Sequence, residues 1–177
     1  MSDTWQDALN DSPAEAAASD NPLLSMIREQ RARKLGRNTV DVEVPGYGGR
    51  LLLRLGPIDG RQLASILERR ERSQNPERDF AVNADLLIAA CREVLRRETR
   101  SGPLAVVVDD EDEPVRVDDR LARMLQLPET TRAREVLAYL FEAANVPEMA
   151  VGIVAARYLE WAEGSDEDVD EELLGES

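Results

Sequence analysis

Four places in this chain hold residues whose type and spacing could do chemistry. Gly46-Tyr47-Gly48-Gly49, followed by Arg50, is rich enough in glycine to wrap a phosphate. Asp109, Asp110, Glu111, Asp112 and Glu113 form a run of oxygen donors of the kind that holds a hard divalent cation. Asp85 lies inside an apolar segment, where burial would tune a carboxyl for acid-base work. Cys91 is the single thiol of the 177 residues.

Each of these meets a physical objection. A phosphate loop leads from a strand into a helix whose N-terminal amides face the anion, whereas these glycines lead into the Leu51, Leu53, Leu55 alternation of a second strand, and no Gly-Lys-Ser/Thr follows. We read them as a hairpin turn in which glycine supplies the positive φ. The acidic run lacks the central glycine and the distant bidentate glutamate of an EF-hand loop. It reads as a solvated hairpin tip, with weak divalent-ion binding or a basic partner as the alternatives. Asp85 falls on the solvated side of its segment, and Cys91 shares an apolar stripe with Leu87 and Val94, the place of an inert core thiol. Histidine is absent from the whole sequence, which removes Ser-His and Cys-His nucleophile pairs and the commonest metal ligand. One cysteine without histidine cannot build a structural zinc site. The expectation is a protein that is not an enzyme, with no catalytic, cofactor-binding or metal residues.

The elements that position these residues follow from periodicity. Leu23, Met26, Ile27 and Leu35 share one side of a basic amphipathic helix that follows Pro22 and ends near Gly36. Val40, Val42 and Val44 alternate with Asp41 and Glu43 before the glycine turn and the return strand. Asp59, with Gln62 three residues on, caps a helix over about 60–73. Asn75-Pro76 opens a second helix, in which Phe80, Ala84, Leu87, Ile88, Cys91, Val94 and Leu95 recur at helical spacing, the strongest helical pattern in the chain. Residues 104–119 read as two short strands around the acidic loop. A short helix follows, then one capped by Thr130 or Thr131, and after the break at Asn145 and Pro147 a last helix carries Val151, Val154, Ala155, Tyr158 and Trp161. The fold class expected is α+β, predominantly helical, with five or six helices and two short β-hairpins. No internal repeat is visible.

Charge divides the chain further. The formal net charge is −14, but residues 1–20 hold five acids and no base, residues 163–177 hold eight acids and no base, and residues 21–162 hold 23 acids against 22 bases. This predicts a disordered acidic N-terminal tail over 1–20, a single globular domain over 21–162 and a disordered acidic C-terminal tail over 163–177. A nucleic-acid binder needs a basic footprint, so DNA and RNA are not expected partners. The acidic N-terminus and the lack of an apolar run of spanning length predict neither a signal peptide nor a membrane span, and the lone cysteine fits a reducing compartment. Of the 22 bases 21 are arginine, which fits a GC-rich genome.

Two features point to partner binding. Tyr158 and Trp161 lie where the last helix meets the acidic tail, and Trp161 either caps the core or anchors a partner helix. Within the tail, Leu173 and Leu174 sit among Asp166, Glu167, Asp168, Glu171 and Glu172, a mixture that either keeps the chain in solution or folds against a basic amphipathic partner.

The segments "FAVNADLLIAACREVLRRE", "PVRVDDRLARMLQL" and "TRAREVLAYLF", in that order and ahead of a final helix ending "YLEWAEG", resemble the tail assembly chaperones of long-tailed phages that infect actinobacteria. The likeness covers roughly residues 38–163, and its motifs are compositional rather than catalytic. What it implies is a non-enzymatic protein of the host cell cytoplasm that binds the tape measure protein and keeps it soluble while the tail tube assembles. Contact with the major tail-tube protein is a further partnership it allows, and the mature virion is not expected to contain it; the apolar helical faces separately suggest a homo-oligomer that wraps the tape measure chain. In such families a ribosomal frameshift near the end of the gene often makes a longer second product. The alternatives are a structural virion component, such as a head-tail connector or tail protein, and a metal-dependent enzyme using the carboxylates at 109–113.

Overall fold

The computed structural model describes residues 22–23, 25–27 and 38–174, with side chains up to 164. The chain divides into two units, Met1–Arg37 and Asn38–Ser177. The first is described only at 22–23 and 25–27, where the backbone is helical, so the expected tail over 1–20 lies outside the described residues. The second unit starts at Asn38.

That second unit is α+β. Strands β1 (Val40–Glu43), β2 (Leu51–Leu55), β3 (Cys91–Arg96) and β4 (Ala105–Val106) form one antiparallel sheet in the order β1-β2-β3-β4. Its helices are α1 (Gly60–Glu71), α2 (Phe80–Ala90), α3 (Asp119–Met124), α4 (Ala133–Phe141) and α5 (Pro147–Leu174). Val42, Leu53, Leu55 and Val94 point from the sheet into a core shared with α2, α4 and α5. Fully burying leucines such as Leu53, Leu55, Leu86 and Leu87 stabilises by roughly 1.5–3 kcal/mol each. On the other face Arg54 bridges Asp41 on β1 at 2.8 Å and Glu93 on β3 at 2.8 Å, an acid-base-acid ladder across three strands.

The first hairpin forms as its alternation predicts. Gly46, Gly48 and Gly49 all have positive φ, and Val44 N–H donates to Leu51 at 2.9 Å to close the turn. Asp59 caps α1 by accepting from the amides of Arg61 and Gln62. The second helix is a correction. It starts at Phe80, capped by Asp79, because Asn75 and Pro76 belong to a turn that precedes it, and it stops at Ala90. Cys91 then turns extended, and Cys91, Val94 and Leu95 belong to β3, paired with β2 from Leu51↔Arg96 to Leu55↔Cys91. A short apolar run such as Leu86–Leu95 satisfies either period, and the open edge of a Leu-rich β2 decides it.

A second correction concerns residues 104–119. β4 adds to the sheet beside β3, and the return arm makes no strand of its own, joining through the bridge between Val108 and Pro114 and through Val115, whose N–H donates to Val107 at 2.9 Å and whose carbonyl accepts from Val94 at 2.9 Å. One cap also differs. Helix α4 begins after Arg132, whose N–H donates to Glu135 at 2.6 Å, rather than after Thr130 or Thr131. Pro147 opens α5, the position where its fixed φ and missing N–H cost least. The α5 backbone stays helical through Leu174, twelve residues beyond the point at which the acidic composition predicts the end of the folded part.

Candidate partner-binding surface

Helix α5 has two apolar sides. Ala150, Val151, Val154, Ala155 and Tyr158 are buried in the core. Gly152 lets the turn before α2 pass against the helix: a Cβ there would stand 1.9 Å from the Glu77 carbonyl oxygen. That turn is held from α2 by buried Asn83, whose side-chain amide donates to the Pro76 carbonyl at 2.8 Å. At the far end the Tyr158 hydroxyl donates to the Gly56 carbonyl at 2.9 Å, and burial pushes the phenol's pKa up.

The other side of α5 is uncovered. Val146, Met149 and Ile153 recur at i, i+3 and i+7 with 50%, 38% and 46% of their surface exposed. With Pro45, Gly46 and the connection from α4 to α5 they line a shallow apolar groove of about 300 Å³. The hairpin turn reaches the groove because Gly46 packs directly on the backbone of Ala143, where a Cβ would meet the carbonyl oxygen at 2.4 Å. Tyr47 in the same turn is half-buried, and its phenol is pushed up by burial and then by the neighbouring Tyr139 and Glu142. Between residues 142 and 156 the only charges are Glu142 and Glu148, both exposed acids.

The residues singled out by sequence fall in different places. Tyr158 is a core residue with its hydroxyl bonded, and it offers no surface. Trp161 is half-buried against the core, its ring 5.8 Å from that of Tyr158. Asp166, Glu167, Asp168, Glu171, Glu172, Leu173 and Leu174 lie on the helical backbone of α5, and their side chains are outside the described residues. The groove unites none of these. Its own Val146, Met149 and Ile153 were legible as a second apolar stripe at helical spacing, one too many for a helix that buries a single side.

The stretches with chemical potential take structural roles. Asp85 accepts from Arg134 at 2.6 and 2.7 Å and from Arg69 at 2.8 Å, joining α1, α2 and α4. Burial opposes its ionisation, but the two arginines outweigh burial and hold the carboxyl below its usual range. Asp109 accepts from the amides of Glu111 at 2.9 Å and Glu113 at 3.0 Å and pairs with Arg120 at 3.4 Å, so its oxygens shape the turn. Those backbone bonds lead the lowering of its pKa. Among the described residues no group of three or more acids, cysteines or histidines is placed to hold a metal. Burial pushes the Cys91 thiol up to about 11. No protein-family model, curated protein or solved structure matches the chain.

Proposed function

We propose that this chain is a tail assembly chaperone of a long-tailed phage, binding the tape measure protein and keeping it soluble during tail-tube assembly in the host cytoplasm. One surface feature supports the reading: an apolar groove along α5 that the fold leaves open, beside a helical end rich in acids. A tape measure protein, a long helical chain, exposes apolar stripes that such a groove can cover. The ordered likeness of residues 38–163 to this class of chaperones gives the second support. The proposed action needs no chemical step, only reversible burial of apolar surface.

Co-expression with the long coding frame immediately downstream tests the proposal. The downstream product is expected to become soluble and to co-purify with the chain, and purified virions are expected to lack peptides from residues 38–163. A partner that stays insoluble and unbound, or abundant peptides in the virion, contradicts it and favours a structural virion component.

A further inference from the structure

The uncovered side of α5 carries its charges in an order that suits a second copy of itself. Val146, Met149 and Ile153 are followed one turn on by exposed Arg157. From 142 to 157 the charged residues are Glu142, Glu148 and Arg157, all exposed, with the acids around the start of the helix and the base beyond the apolar stripe. None of the three enters an ion pair among the described residues. The surface therefore holds apolar contacts in its middle and opposite, unpaired charges at its two ends.

We infer that two copies of the chain pair through this side of α5 in an antiparallel, two-fold arrangement, each laying Val146, Met149 and Ile153 on the other. With Ile153 of one copy set against Met149 of the other, Arg157 comes opposite the start of the second α5, where Glu142 and Glu148 stand. Glu160 then lies past that helix's first residue. Symmetry makes the contact twice. A parallel pair would instead stack Arg157 on Arg157 and acids on acids, so charge complementarity selects the antiparallel copy. The surface is the one proposed above for the tape measure protein, and copy and partner compete for it. That competition rests on the chaperone reading, whereas the pairing does not.

Sedimentation velocity of the full chain over a concentration series tests the pairing. A dimer is expected to build up with concentration, and a chain that stays monomeric up to about 1 mM overturns the inference. Met149→Asp/Ile153→Asp is expected to raise the dissociation constant of the dimer by about tenfold or more. Arg157→Glu is expected to raise it by about threefold or more, since the two-fold axis counts each lost pair twice. Adding Glu142→Arg and Glu148→Arg to Arg157→Glu is expected to recover most of that loss. All of these positions are exposed, and circular dichroism verifies that the variants fold. A dimer indifferent to Met149→Asp/Ile153→Asp overturns the surface, and charge reversal without recovery overturns the antiparallel order. Competition is read separately. Arg157→Glu frees the surface and keeps its apolar residues, so it is expected to retain at least as much co-expressed downstream protein as the unchanged chain, and a loss of retention overturns the competition. If the unchanged chain fails to solubilise the downstream protein, the chaperone role falls and sedimentation still judges the pairing.

Discussion

The two sides of α5 carry similar residues and do different work. Inward, Val151, Val154, Ala155 and Tyr158 are buried and pinned, with Gly152 fitted against the Glu77 backbone. Outward, Val146, Met149 and Ile153 are equally apolar and touch solvent. Hydrophobicity alone does not separate the sides. What separates them is how closely neighbouring backbone meets them, since the 76–78 turn is fitted against the inner side while the hairpin turn at Pro45 and Gly46 only walls an open groove beside the outer one. One helix can therefore hold the fold together and offer a surface, and substitutions should resolve the two roles.

The strongest way to break that contrast is Gly152→Ala. The added methyl meets backbone, not a flexible side chain, so despite the better helix propensity we expect a loss of about 2–3 kcal/mol, read from denaturant melts. Tyr158→Phe keeps the ring and removes the bond to buried Gly56, which should cost about 1–2 kcal/mol and leave partner binding unchanged. Asp85→Asn sharpens the comparison by loosening the helices around the inner side, at about 1 kcal/mol near neutral pH. Because its folded pKa is lowered, Asp85 contributes stability that is full above the unfolded value of about 4 and is lost as pH falls through the folded value. The variant's melts should therefore approach those of the unchanged chain in acid, and a gap that widened there would contradict the assignment. On the outer side, Met149→Ser/Ile153→Ser should shift stability by no more than about 0.5 kcal/mol while abolishing partner retention in co-purification.

The sequence is most legible where local chemistry and tertiary context agree. The β1–β2 hairpin needed only its alternating valines and leucines and the glycines between them. Asp59 and Asp118 cap α1 and α3 by chemistry that acts within three residues. The stretch from Leu86 to Leu95 was not legible, since it fits either period and the choice depends on β2, some forty residues away. Asp85 shows the same limit. It was read as solvated, and its two arginines come from helices on either side of it in the chain. Tyr158 was selected for its place near the acidic end of the chain, and it is buried with its hydroxyl bonded to Gly56, far away in sequence. The groove was half-written: the stripe on α5 is in the sequence, but its wall at Pro45 and Gly46 exists only because the hairpin turn packs on Ala143.

The central claim is that the outward side of α5 faces the partner, and site-specific photo-cross-linking addresses it most directly. A photoreactive residue at position 153, compared with one at exposed position 61 on α1, should cross-link to the co-expressed downstream protein from 153 and not from 61. Equal yields from both positions, or a cross-link from 61 alone, would show that the partner is held elsewhere.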